Sequence, residues 1–305
     1  MFGIKTKVKK KWHEYMVDHR PRKVIDKIWM CNYGYKVDWN NPKNLNEKIE
    51  WLICYGDTSM WPILADKYKV RNWIKEKGYA NLLTKIYGVW DDASIIDFDR
   101  LPDKFVLKCN HDSGSCYLID KSRGFDKKRI VKDTNAHLRQ KFGYRLCEPH
   151  YNKINPKVIA EEYLENDAPF SASLVDYKVW CFDGKPYCIF VAFSRTHEHI
   201  YTNVYDLNWQ VHPEWSVFSD HYMDGGGVVP RPIVLDEMLK VASDLSKGFP
   251  EVRVDFYMVR DRLVFGEMTF TSDCGRMGYF TKEFLLELGN QIVLPDRKGS
   301  FGFEI

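Results

Sequence analysis

Chemistry-bearing side chains gather near the C-terminal end, in VRVDFYMV, RDR and LVFGEMTF over residues 252–270. Arg253 and Asp255 stand two apart in an apolar run that reads as a strand, so their side chains share one face. A turn at RDR brings back a second strand on which Glu267 falls across from Asp255, with Thr269 on the same face. Charges set among Val, Phe and Met are costly unless something pairs with them. Two carboxylates with a hydroxyl beside them suit Mg²⁺, a hard cation that takes oxygen ligands and shares them with nucleotide phosphates. A cross-strand salt-bridge ladder of Arg253 with Asp255 and Glu267 accounts for the same residues. The hairpin alone leaves both readings open.

Two further segments favour the metal reading. FVLKCNHDSGS places Lys108 at the end of an apolar strand and follows it with a short polar loop holding Ser113, Gly114 and Ser115. Such a loop can offer backbone N–H groups and a lysine to phosphate oxygens, although most loops with one glycine are plain turns. AEEYL at 160–164 is a strand end with Glu161 and Glu162, either a hinge whose backbone reads a base or a strand with two solvent-facing acids. His197 and His199 have the spacing of one strand face, but no third ligand stands nearby, and a solvated pair is the preferred reading over zinc. Trp209 and Trp215 suit either sugar stacking or core packing, with core favoured. Gly225–Gly227 mark either a substrate-covering loop or a flexible connection.

The elements that must position these groups follow from pattern. NLNEKIEWLICY at 44–55 has helical rhythm with Asn44 or Asn46 as cap, and Lys67–Lys77 forms a second helix stopped by Gly78. From about residue 83 short β-like runs take over: LLTKIYGVW, KFVLKCN and CYLID. A helix is expected over 126–142, then a strand at PKVIAEEYL. DYKVWCF and KPYCIFVAF form a hairpin through Asp183-Gly184. A glycine- and proline-rich loop at 224–232 precedes a helix at 235–247 and the final hairpin. Helices, then strands with one helix, then hairpins make an α+β pattern with mostly antiparallel sheets.

The bulk numbers exclude other classes. Forty-five basic against 42 acidic side chains are too evenly balanced for a protein devoted to nucleic acid. No run approaches the roughly 20 apolar residues of a membrane span, and the basic N-terminus lacks the apolar stretch of a secretory signal. Eight cysteines without a CxxC pair read as reduced, mostly buried thiols of a cytoplasmic protein. Five lysines within residues 5–11, followed by Trp12, Tyr15 and Met16, form either a solvated helix start, the preferred reading, or a basic segment that makes peripheral contact with the inner face of the membrane.

Taken in order, these pieces resemble the ATP-grasp superfamily: strand, lysine and phosphate loop, then a hinge E-x-x-L, a mid-chain strand lysine, and R-x-D followed by E-x-[N/T]. The stretch RVDF…FGEMTFTSDCG at 253–275 looks like the corresponding segment of the D-alanine–D-alanine ligase branch. It is closer to the TupA-like branch, associated with teichuronopeptide and capsular polysaccharide synthesis. There the likeness extends over NLNEKIEWL, ADKYKVR, LPDKFVLKCNHDSG, DYKVWCFDGKP, YDLNW, FGEMTF and LGNQIVLP.

The resemblance implies an α+β ATP-grasp fold, two antiparallel-sheet lobes gripping ATP after a mainly helical N-terminal region. Its parts would be a helical region 1–82, a small lobe 83–160, a large lobe 161–295 and a tail 296–305. It implies that Lys108 holds the α- or β-phosphate under a lid formed by Asn110, His111, Ser113, Gly114 and Ser115. Backbone at Glu162, Tyr163 and Leu164 would read the adenine, with Glu161 near its amino group and Glu165 or Asp167 at the ribose. Lys178 would reach the phosphates and Lys67 would lie close to the γ-phosphate or the substrate, Asp255 and Glu267 would ligate Mg²⁺ with Thr269 beside them, and Arg253 would steady the reacting carboxylate. Arg195 and Arg276 are candidates for binding the substrate, with a surface ion pair as the alternative for Arg195. Thr269 replaces the asparagine common in such enzymes, and His111-Asp112 replaces a more glycine-rich lid. The implied activity is a carboxylate–amine ligase joining a sugar acid, free or polymer-linked, to an amine through an acyl phosphate. A sugar kinase on the same fold, a glycosyltransferase of the same pathway and a non-catalytic nucleotide- or glycan-binding module are the rival readings.

Overall fold

The structure, a computed structural model, describes residues 2–297, with side chains from Val8 onward. The side chains of Lys5 and Lys7, and residues 298–305 of the tail expected over 296–305, lie outside the described residues. Five helices come first: α1 (Phe2–His19), α2 (Pro21–Tyr33), α3 (Leu45–Tyr55), α4 (Trp61–Leu64) and α5 (Val70–Glu76). Helix α2 opens on Pro21 and stops at Gly34, whose φ of +77° is a left-handed conformation natural to glycine. Helix α3 starts in a reciprocal cap: Asn44 accepts from the Glu47 N–H at 3.0 Å, and Glu47 accepts from the Asn44 N–H at 3.3 Å. Helix α5 begins three residues later than its pattern suggests, because the Asp66 carboxylate accepts the N–H groups of Tyr68 and Lys69 and holds a turn there.

Strands β1 (Ile86–Trp90), β2 (Lys104–Cys109), β3 (Cys116–Asp120) and β4 (Val158–Glu162) form an antiparallel sheet in the order β1-β4-β2-β3. It closes over Phe98, Phe105, Leu107 and Ile119 with help from Ile130 and Val131 of α6 (Lys127–Leu138). Helix α6 is shorter than the expected 126–142, giving way before the irregular turns at 142–144 and 149–153. Strand β4 runs on to Glu162, across the expected lobe boundary, so Glu161 and Glu162 sit on this smaller sheet.

The larger sheet has the order β10-β9-β5-β6-β7-β8, built from β5 (Asp176–Phe182), β6 (Lys185–Phe193), β7 (Ile200–Tyr205), β8 (Tyr222–Asp224), β9 (Val252–Val259) and β10 (Arg262–Thr269). Only β7 and β8 pair in parallel. One face packs on α7 (Leu235–Ser246) through residues such as Val241 and Leu245, and α8 (Lys282–Gln291) lies against α3. The core of this sheet is continuous with that of the N-terminal helices. The α+β expectation of leading helices and two largely antiparallel sheets therefore holds. No described helix is long and apolar enough to cross a membrane.

Two local expectations are corrected. His197 and His199 lie in a turn between β6 and β7, where the Thr196 hydroxyl accepts the N–H groups of Glu198 and His199, so they share no strand face. The last hairpin turns on two residues, Arg260 and Asp261 with φ of +49° and +58°, and Arg262 already pairs with Val259. All eight cysteines are free and five of them are buried, as expected, with Cys31 and Cys116 exposed.

Candidate active site

With a two-residue turn, strict pairing would set Gly266 across from Asp255 and turn Glu267 to the opposite face. The register shifts between Phe265 and Glu267, leaving Gly266 as a bulge, and Glu267 then pairs with Asp255 and Thr269 with Arg253. A side chain at 266 would start 2.9 Å from the Asp255 carbonyl oxygen, so glycine permits the close approach. Strand β5 continues the same face, with Lys178 beside Asp255 and Trp180 beside Arg253. The alternate residues Val252, Val254 and Phe256 fill the opposite side.

The face carries a dense charge network. Arg253 donates from Nε to Asp255 Oδ1 and from Nη2 to Asp255 Oδ2, both at 2.7 Å. Lys178 donates to the same Oδ2 at 2.7 Å and pairs with Asp176 at 2.5 Å. Arg253 also reaches Ser272 at 3.1 Å and Thr269 at 3.2 Å, and lies over the Trp180 ring. Burial works against charge on Asp255, but Arg253 and Lys178 together hold its carboxyl below the usual range. Burial raises Asp176, with Lys178 opposing. Burial also opposes charge on Lys178, yet Asp176 and Asp255 hold it more firmly protonated than an ordinary lysine. Glu267 differs: its side chain is 38% exposed, and its contacts are Arg253 at 3.4 Å, Thr269 at 3.1 Å and Lys67 at 4.0 Å.

The smaller sheet faces this array. Lys108 on β2 is ion-paired with Glu161 on β4, which also accepts from the Thr84 hydroxyl at 3.1 Å. Burial disfavours the Lys108 charge, and Glu161 more than restores it. A cavity of about 200 Å³ lies between the two sheets, bounded by Lys67, Lys108, Glu161, Tyr257 and Glu267. Through Leu164 it adjoins a larger one of about 520 Å³, lined by Lys104, Glu162, Tyr163, Glu165 and the hairpin tip at Arg260. Glu162 is bonded to Arg262 at 3.0 Å, Glu165 to Lys104 at 2.5 Å, and Asp167 accepts the Arg260 N–H at 2.7 Å.

The loop after Lys108 divides in two. The Asn110 side chain is engaged by Asp66, Asn155 and Lys157, the buried His111 ring is bonded to the Gln140 carbonyl at 3.3 Å, and Ser115 donates to Asp112. Those residues frame the loop, whereas Ser113 and Gly114, the latter at φ +93°, form its exposed tip. Lys67 donates to the Asp112 carbonyl at 2.6 Å and so joins the loop to Glu267. Arg195 stands 55% exposed beside Asp176 at 3.9 Å. Arg276 is buried, paired with Glu50 and donating to the Leu146 carbonyl at 2.8 Å, so neither terminal nitrogen is open to a ligand. Trp209 stacks on Tyr205, and Trp215 on His212 and Phe284. Arg71, Thr84, Asp176 and Tyr257 were not picked out from sequence. Asp176 and Arg71 have a legible signal, being two residues before Lys178 and four after Lys67.

The donor set fits a hard cation at Glu267, whose Oε2 has no cation nearer than Lys67 at 4.0 Å. Asp255 also retains acceptor capacity on Oδ1, which takes a single hydrogen bond. Among solved structures the chain is similar to D-alanine–D-alanine ligase from Bacillus anthracis complexed with ATP (16% identity, 68% of this chain and 55% of that one, TM-score 0.38). It is also similar to L-amino acid ligase from Bacillus licheniformis (10%, 84% and 55%, 0.45) and to D-alanine–D-alanine ligase from Helicobacter pylori (11%, 82% and 67%, 0.45). The chain thus spans little more than half the length of the first and second of these, and likeness at such scores carries no argument by itself. No curated protein matches the chain. The family model described as TupA-like ATPgrasp matches residues 47–293, a span that contains both sheets and every residue of the cleft described above, and the chain belongs to that family.

Proposed function

We propose that the chain is an ATP- and Mg²⁺-dependent carboxylate–amine ligase whose carboxylate substrate is a uronic acid or related sugar acid of surface-polysaccharide assembly. The observation that carries this reading is a cavity between the two sheets lined by Lys108, Lys67 and Glu267, with Glu267 on the same strand face as the Lys178–Asp255–Arg253 network. ATP is read as lying along the cleft, its phosphates between Lys108 and Lys178 and its base towards Tyr163 and Leu164. Asp255, Glu267 and Thr269 would hold Mg²⁺, which supplies charge neutralisation at the phosphates. Asp255, now paired with Arg253, would share its carboxylate with the metal, and the guanidinium would then serve the reacting carboxylate.

In the first step a carboxylate oxygen attacks the γ-phosphorus, the bond to the bridging oxygen breaks, and ADP leaves. The lysines and Arg253 offset the charge that spreads over the transferred group. In the second step an amine nitrogen attacks the acyl carbon, the C–O bond to phosphate breaks, and the proton lost by nitrogen goes to the departing phosphate. Closure of the tip Ser113-Gly114 keeps water from the acyl phosphate. Arg195, at the open end beside Asp176, is the remaining cation for the sugar acid. A cytoplasmic site, where ATP is available, accords with this activity.

The test is turnover of Mg·ATP against a panel of uronic acids with and without amines, following ADP and phosphate separately. Release of both only when acid and amine are present is the expected result. ADP without free phosphate, with a phosphorylated sugar formed, would make the protein a kinase instead.

A further inference from the structure

A separate concavity of about 430 Å³ opens where α1, the loop tip at Ser113 and the segment after α6 meet. It is lined by Lys10 and His13 from α1, by His137 from α6, and by Lys141 and Arg145 beyond it, against a single carboxylate, Glu14. Among the described residues, Lys10, Lys141 and Arg145 have no acidic partner. Three cations against one carboxylate leave a formal charge of +2 in one pocket. That is unusual on a chain whose charges otherwise nearly balance.

The walls are fixed. His13 Nε2 is bonded to the Tyr144 carbonyl at 2.7 Å, and the Tyr144 hydroxyl donates to Asp18 at 2.6 Å, so α1 is held against the opposite wall. His137 donates from Nδ1 to the buried carboxylate of Asp112 at 2.6 Å. Asp112 in turn accepts from Ser115 and, through its carbonyl, from Lys67. The pocket is therefore joined to the phosphate loop by two consecutive hydrogen bonds through one buried carboxylate. The C-terminal end of α6 opposes an anion here, a weaker effect than three unpaired cations. An arginine fork with two flanking ammonium groups matches a phosphate better than a single carboxylate, and the volume admits more than one phosphate group.

We propose that this pocket binds the phosphate or diphosphate group of a phosphorylated ligand, apart from the nucleotide cleft, and that occupancy acts on the phosphate loop through His137 and Asp112. The ligand can be a soluble sugar phosphate or a lipid-borne phosphate. In the lipid case the exposed Trp12 and Tyr15, with Lys9 and Lys11, would lie at the membrane surface.

The experiment is calorimetric titration of inorganic pyrophosphate into the full-length protein, with and without saturating Mg·AMP-PNP, for wild type and for Lys141→Ala and Arg145→Glu. One pyrophosphate bound per chain with AMP-PNP present, weakened roughly tenfold or more by each substitution, is expected, the scale of losing one charge-assisted hydrogen bond. Equal affinity in wild type and both variants, or loss of the site when AMP-PNP occupies the cleft, overturns the proposal. Both positions are exposed, and circular dichroism confirms that the variants fold. A second arm sediments the proteins with phosphatidylcholine vesicles with and without phosphatidic acid. Sedimentation of wild type but not of Arg145→Glu identifies a lipid phosphate, and none, with pyrophosphate binding intact, identifies a soluble ester. Should AMP-PNP itself fail to bind, the ligase reading falls, while the comparison of variants with pyrophosphate still decides this one.

Discussion

Asp255 and Glu267 carry the same formal charge one strand apart, yet the structure predicts very unequal losses of stability when each loses it. Asp255 is 2% exposed and accepts three charge-assisted hydrogen bonds at 2.7 Å, two from Arg253 and one from Lys178. The buried pair of cations, Arg253 and Lys178, is balanced by Asp255 and Asp176. Asp255→Asn removes one of those anions and turns an amide N–H₂ towards donors, leaving a buried positive charge without compensation. Breaking such a pair from one side costs about 3–5 kcal/mol. Glu267 is partly exposed, with its nearest cations at 3.4 and 4.0 Å, so Glu267→Gln should cost about 0–1 kcal/mol. Urea unfolding at pH 7 without nucleotide, with the slope checked for constancy, measures both. Comparable losses in the two variants, or a neutral Asp255→Asn, would refute the charge balance drawn here. Turnover should fall in both variants, so stability and activity separate in Glu267→Gln alone.

Gly266→Ala should destabilise by about 1–3 kcal/mol, as overpacking does, because its Cβ would meet the Asp255 carbonyl at 2.9 Å; it should also lower turnover by displacing Glu267, and unchanged unfolding and kinetics would contradict the role given to the bulge. His150 is buried with neither ring nitrogen bonded, and burial lowers its pKa to about 3. Below pH 6.5 the unfolded chain therefore takes up a proton that the folded chain refuses, and this residue removes up to about 1.4 kcal/mol of stability per pH unit down to pH 3. His150→Leu should flatten the acid limb of unfolding free energy against pH, and an unchanged slope would show that another group sets it. Lys108→Met leaves Glu161 without its cation and should weaken Mg·ATP binding by roughly tenfold or more, read by calorimetry; unchanged affinity would place the phosphates elsewhere.

Part of the site was legible because strand periodicity fixes faces: Arg253 with Asp255 required only the alternation of β9, whereas the lysine of DYK came from the family resemblance and its place beside Asp255 from the β5–β9 register. Glu267 was placed on the right face through an incorrect turn. A three-residue RDR turn and a two-residue turn with a bulge at Gly266 bring the same residue opposite Asp255, and sequence periodicity cannot distinguish them. The loop at 110–115 shows the opposite limit. Residue types nominated Asn110, His111 and Ser115 together with Ser113 and Gly114, but which hydroxyls and amides serve the loop's own frame depends on Asp112 within the loop and on Asp66, Gln140 and Lys157, partners distant in sequence. Arg276 likewise pairs with Glu50, 226 residues away, across the junction of α3 with the segment after β10. Strand β8, only three residues long, is too short to carry a period, and it is defined by its parallel pairing with β7.

The most direct test of the central claim is calorimetric titration of ATP into the wild-type protein with Mg²⁺ and then with EDTA, repeated with Glu267→Gln, which is expected to fold normally. The account predicts one ATP per chain, binding that collapses when the metal is chelated, and a marked loss of the metal-dependent part in the variant. Absence of ATP binding, or binding indifferent to both Mg²⁺ and Glu267, would contradict it.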